Sequence, residues 1–203
     1  INNNETGMDL VQPDVEVTCI DGLGFNYILI GCENGELLLL DCGGNRYFRH
    51  QAHFEAVSKV KSDLSNEFLS FVSGSAGGSV TFWHITKTVP PAWSPIWSHN
   101  VHEYPITAIA FVSNCEDIMV GSYGSEVHRV NDTGIVHTYK FKCYRIAALR
   151  VVDASLIAAF VHSFSVVKWS LNDGQLIKDF HSGAGREQLS RVDYASKLAA
   201  SKG

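Results

Sequence analysis

Nine histidines, a Ser/Gly-rich turn and a pair of glutamates are the residues in this chain whose types and spacing could do chemistry. His50/His53 and His99/His102 each stand three apart, a spacing that on a helix would turn both imidazoles toward one zinc ion. Their segments read instead as outer strand and joining loop, and no third Cys, Asp or Glu stands at a metal-ligand spacing. Ser73-Gly74-Ser75-Ala76-Gly77-Gly78 lacks the spacing of a G-x-S-x-G nucleophile elbow. No G-x-x-x-x-G-K-[ST] phosphate loop is present, and no helix N-terminus follows the Gly-rich turns. The paired carboxylates Glu33/Glu36 read as turn residues. The expectation is a protein without catalytic residues, cofactor or bound metal.

The elements that carry these residues repeat. Strand-like runs start at Ile28, Phe71, Ile118 and Ile157, pass a short Gly/Ser/Asn turn and end in an apolar position. Aligned on Gly31, Gly74, Gly121 and Phe160, they set Leu40, Trp83, Val130 and Trp169 in register, with recurrence after 43, 47 and 39 residues. Upstream, His53 stands four before Val57-Ser58 and His102 four before Ile106-Thr107. Val17-Thr18 and Ile146-Ala147 hold the equivalent places, with Pro13 and Lys142 where the histidine would be. Each unit offers four runs rich in Val, Ile, Phe and Tyr; in the third these are 106–111, 117–122, 126–131 and 135–141. A period of about 40 to 45 residues with all-β content predicts a β-propeller array of four-stranded antiparallel blades. Small residues at Gly31, Gly74, Gly121 and Ser201 fit close approach between blades, a rule that Phe160 breaks.

These units resemble the tryptophan-aspartate (WD) repeat family, whose units begin near Gly-His and end near Trp-Asp. The match is degenerate: His84 follows Trp83, Ser170 follows Trp169, and the aspartate-like position survives as Asp41 and Asn131. The resemblance implies a propeller in which His53 and His102 lie in buried hydrogen-bond networks. It implies a non-catalytic protein–protein interaction scaffold within a larger intracellular protein or complex. The Arg two places after Trp-Asp, frequent in cullin ubiquitin-ligase receptors, is missing after Trp83 and Trp169. Alternatives are recognition of a modified peptide or a lipid headgroup, or a ubiquitin-ligase or trafficking adaptor.

Four full units fall short of the roughly six to eight that complete a propeller of this kind. The expected division is 1–14, closing strand of a preceding blade; 15–53, a blade; 54–102, a blade with a long Pro/Trp hairpin; 103–142 and 143–181, two further blades; and 182–203, first strands of another. The chain then reads as a fragment of a larger ring; a small five-bladed ring with a composite blade is the alternative. A net charge of −5 with 18% charged residues argues against nucleic acid. No apolar run reaches the roughly 18 to 20 residues of a membrane helix, so membrane association is expected only peripherally, through partners. Cys19, Cys32, Cys42, Cys115 and Cys143 are scattered without C-x-x-C spacing, which fits free thiols in a cytoplasmic or other intracellular compartment.

What remains for function is surface. The loops between blades and the turns between second and third strands should form one face, with Arg49, Phe54, Tyr104, Tyr123, Tyr144, Arg145, His162 and Phe164 as partner-binding candidates; Tyr and Arg are types enriched at interface hot spots. Packing of loops onto blades is the competing role for the aromatics. From Trp83 to His102 the second unit takes 19 residues where the others take 12 or 13. The excess lies in 87–97, where Trp93 is a further candidate and Trp97 aligns with the outer strand.

Overall fold

The computed structural model describes residues 15–24, 26–42, 46–63, 69–86, 88, 91–112, 117–142, 145–161 and 165–181. Among them there is no helix, and the strands form four antiparallel four-stranded sheets, each a meander in chain order. The first sheet holds β1 (Val17–Leu23), β2 (Tyr27–Cys32), β3 (Glu36–Asp41) and β4 (Arg46–Gln51). The second holds β5 (Val57–Asp63), β6 (Leu69–Ser75), β7 (Ser79–Ile85) and β8 (Trp93–Asn100). The third holds β9 (Ile106–Phe111), β10 (Ile118–Ser122), β11 (Glu126–Asn131) and β12 (Gly134–Lys140). The fourth holds β13 (Ile146–Val152), β14 (Ser155–Phe160), β15 (Ser165–Ser170) and β16 (Leu176–His181). The expected strands of segments 1–14 and 182–203 lie outside the described residues.

The sheets pack face to face in series through their first strands, β1 on β5, β5 on β9 and β9 on β13. Each of the three hydrophobic cores is shared by two consecutive sheets. Leu29, Leu39, Val57 and Phe71 meet in the first, Val80, Phe82, Ile106 and Val120 in the second, and Met119, Val127, Ile146 and Trp169 in the third. Burying each such side chain contributes about 1.5–3 kcal/mol. The burial patterns follow from this order. β6 and β10 are buried on both faces, whereas β14 of the last sheet alternates buried and half-buried residues. On the first sheet Val17 and Ile20 are 46% and 64% exposed, although their counterparts Val57/Val60 and Ile106/Ile109 are buried against the preceding sheet.

One junction is built three times. Gly31, Gly74 and Gly121 receive Val57, Ile106 and Ile146; a Cβ added at each would meet the incoming side chain at 2.7, 2.7 and 2.8 Å. Beside each glycine, a hydroxyl on the first strand lies within hydrogen-bond reach of both the glycine carbonyl and the carbonyl of the incoming residue, which share its one proton. Thr18 serves Gly31 and Val57, Ser58 serves Gly74 and Ile106 at 3.2 and 2.8 Å, and Thr107 serves Gly121 and Ile146. The first junction adds Asp21, whose Oδ2 accepts from the Ser62 N–H at 2.8 Å and from Lys61 Nζ at 3.2 Å.

The fourth unit corrects the sequence alignment. Ile146 pairs with Phe160, as Val17, Val57 and Ile106 pair with Cys32, Ser75 and Ser122. The glycine position therefore belongs to Ala159, and Phe160 sits one place on, buried among Phe141 and Trp169. Three residues separate the second and third strands in the first three sheets and four, 161–164, do so in the last. That extra residue produced the false register, and Ala159, a small residue, stands at the glycine position. Ser201 lies outside the described residues.

Candidate interaction site

His53 ties its loop to the second sheet. Its Nε2 lies 2.7 Å from Ser73 Oγ and its Nδ1 3.0 Å from Ser79 Oγ, while the Trp83 indole N–H donates to the same Ser73 Oγ at 2.8 Å. With Ser73 accepting from Trp83 and donating its one proton to Nε2, the His53 Nδ1–H faces Ser79; the other tautomer reverses both His53 bonds. The ring is neutral in that arrangement, in keeping with burial holding its pKa down at about 4. In the third sheet Val120 and Val130 replace Ser73 and Trp83 by strand register. His102 there meets Ser122 Oγ at 3.1 Å through Nδ1 and stacks on His128, centroids 4.4 Å apart. His128 holds the place of Thr81 and keeps that residue's link to the outer strand, with Nδ1 3.0 Å from Thr138 Oγ1 as Thr81 Oγ1 is 2.9 Å from Ser98 Oγ.

Beside these networks the loops that follow the outer strands pack on the turns between second and third strands. The N–H groups of Ala52 and His53 donate to the Gly35 carbonyl, those of Val101 and His102 to Gly78, and that of Arg145 to Tyr123 and Gly124. Gly78 has φ +87° and its turn is covered by the backbone of His102, so a side chain there has neither the conformation nor the space. The Glu55 carboxylate lies against Gly77, and the Tyr104 ring approaches Gly124. Phe54 is wholly exposed on this loop-and-turn surface, with Tyr104 and Tyr123 at 54% and 39%. Arg145 has φ 61°, uncommon for a non-glycine residue, and its guanidinium lies 4.7 Å over the Tyr123 ring.

A cleft of about 620 Å³ opens here between loop 101–105 and turn 123–126. Its walls include Glu103, Tyr104, Tyr123, Glu126 and the stacked His102/His128 pair. The hydrogen bond from Lys140 Nζ to Glu126 Oε1, at 2.7 Å, holds the Glu126 carboxyl below its usual range. Glu126 Oε2 stands 3.7 Å from His128 Nε2, beyond hydrogen-bond length. Burial, and for His102 also the neighbouring His128, keeps both imidazoles neutral at pH 7, His102 titrating at about 4.

The structure brings Tyr104, Tyr123 and Arg145 together and places Phe54 on the same loop-and-turn face. Arg49 differs from expectation: it lies within β4, paired in register with Leu38, with its guanidinium 3.7 Å from the Glu36 carboxylate. The alternation of Arg46–Gln51 had no turn residue to mark its end before Ala52. Glu36 likewise opens β3 and is not a turn residue. Trp93 is the first residue of β8, half-buried, stacked on His50 at 5.3 Å and edge-on to Phe71. Trp97 lies buried in the same outer strand. Tyr144, His162 and Phe164 lie outside the described residues. Glu103, Glu126 and His128 carried no strong sequence signal; His128, a polar residue between apolar Val127 and Val130, was the one available clue. Among the described residues no three His, Cys, Asp or Glu side chains are grouped to hold a metal, and no helix is long and apolar enough to cross a membrane.

No family model matches the chain, and no curated protein matches it significantly. Solved structures similar to it include two computationally designed proteins. Ika8 superposes with a TM-score of 0.66 at 18% identity, over 79% of this chain and 47% of Ika8. Ika4 gives 0.64 at 18% identity, over 79% of this chain and 94% of Ika4. The chain thus spans about half the length of Ika8 and nearly all of Ika4. At this identity the likeness concerns the fold alone.

Proposed function

We propose that this chain is a segment of a WD-repeat-type β-propeller serving as a non-catalytic protein–protein interaction scaffold. The observation that carries the reading is the loop-and-turn surface, on which Phe54, Tyr104 and Tyr123 are exposed. Large aromatic surfaces on well-anchored loops are the type of residue that dominates interface energetics. The Ser73-centred link between His53 and Trp83 and the serial packing of four-stranded sheets support the propeller part of the reading. An intracellular setting is part of the proposal, supported by Cys19, Cys32 and Cys42, which are all free thiols.

Cross-linking capture from cell extract, using the full chain beside a Phe54→Ala/Tyr123→Ala variant, tests this. A defined protein retained by the native chain and lost by the folded variant is expected. An identical capture profile for both would refute a loop-face scaffold.

A further inference from the structure

We infer that the cleft between loop 101–105 and turn 123–126 receives a cationic side chain, lysine or arginine, from a protein partner; this rests on the scaffold reading and specifies its chemistry. The argument is one of matched groups. Two carboxylates, Glu103 and Glu126, and two phenol rings, Tyr104 and Tyr123, line one opening, and no lysine or arginine is among the described lining residues. Glu103 is exposed and makes no ion pair among the described residues. Glu126 spends Oε1 on Lys140, while Oε2, on the side toward His128, has no hydrogen-bond donor among the described residues. The two histidines of the wall have their Nδ1 atoms engaged by Ser122 and Thr138 and stay neutral, so they add no positive charge to oppose a cation.

The aromatic half of the site already shows the interaction it would offer. The Arg145 guanidinium sits over the Tyr123 ring at 4.7 Å, so the rim holds a cation on a tyrosine face within the chain itself. Tyr104, on the facing loop, is 54% exposed and carries no such cation among the described residues. A side chain entering between Tyr104 and Glu103, with its charged end toward Glu126 Oε2, meets a ring face and two carboxylates together. A cleft of this size lies within the roughly 300–1,000 Å³ range of ligand pockets and takes a long side chain with its flanking backbone.

The test titrates the full chain, labelled with 3-fluorotyrosine, with end-capped pentapeptides Gly-Ser-X-Ser-Gly in which X is arginine, lysine or the neutral citrulline, and separately with methylguanidinium. Arginine and lysine peptides should shift the Tyr104 and Tyr123 fluorine signals, assigned by Tyr→Phe variants, and citrulline should not. Glu103→Gln, a surface change that leaves the fold intact, should weaken binding about fivefold, and Tyr104→Ala by a similar factor. Equal binding of the citrulline peptide, no binding of either cationic peptide, or affinity unchanged in Glu103→Gln would overturn the inference. Methylguanidinium binding as tightly as the arginine peptide would make this a small-cation site and overturn the protein source. The scaffold reading is tested separately: partner capture lost with Phe54→Ala/Tyr123→Ala but unchanged in Glu103→Gln sinks the cleft and leaves the scaffold standing.

Discussion

The imidazoles of His102 and His128 stack with their centroids 4.4 Å apart and their planes 28° from parallel. Two rings at that separation cannot both carry charge without repelling, and His128 is only 7% exposed. Loop 101–105, which bears Tyr104, is thus fastened to the third sheet by a contact that protonation of both rings would oppose.

A pH dependence of stability follows. Unfolded histidines titrate near 6.5, whereas His53 and His102 titrate at about 4 in the folded chain. Between those values the unfolded chain binds protons that the folded chain does not, so the stabilisation is complete above pH 6.5 and is lost as pH falls toward 4. For a ring buried like His53 the loss is on the order of 3 kcal/mol. Glu126 partly offsets the effect at His102 and His128, and Lys140 reinforces it at His128. Urea unfolding at pH 7.5, 5.5 and 4.5 measures it, and His128→Thr should flatten the slope. Equal stability at all three values would contradict neutral, buried rings.

Ser73→Ala should destabilise the second sheet by about 2–3 kcal/mol, because it leaves both the Trp83 indole N–H and His53 Nε2 without their partner. Thermal or urea denaturation gives the value. A change under half a kcal/mol would mean that another acceptor replaces the hydroxyl.

Gly121→Ala should cost about 1–3 kcal/mol, since its Cβ would stand 2.8 Å from Ile146 Cγ2. Trimming the incoming residue by Ile146→Ala removes Cγ2 and Cδ1 and leaves only its Cβ, at 3.1 Å. A double-mutant cycle should therefore show the glycine substitution costing less in the Ile146→Ala background, and strict additivity would show that the two side chains do not compete for space.

Trp93→Ala should lower stability by about 1–3 kcal/mol, from loss of its stacking on His50 and its packing near Phe71. Chemical denaturation checks this, and an unperturbed midpoint would favour the partner contact for which Trp93 was a candidate over local packing.

The strands were legible because they depend on local alternation and on turn residues. In the third sheet expected and observed strands differ by a residue at most: 117–122 became Ile118–Ser122 and 135–141 became Gly134–Lys140. The junction glycines were legible too, since only a missing side chain admits Val57, Ile106 or Ile146 at such range. The fourth unit misled, because a one-residue longer turn shifts a linear alignment while hydrogen-bond register follows the ladder. The cleft was half visible. Tyr104 and Tyr123 stood out by residue type, but Glu103, Glu126 and His128 join them only when loop 101–105 meets a turn some twenty residues on.

Among the described residues, the first and fourth sheets each pack on one neighbour, and the faces they leave over differ. The first sheet offers Val17 and Ile20, the pair that elsewhere presses into the preceding sheet, and the fourth offers Ala159, the small residue that elsewhere receives such a pair. Each junction thus has a donor side and an acceptor side, and neither matches a copy of itself. A contact that pairs two such faces is heterologous, donor side to acceptor side, and has no two-fold symmetric form.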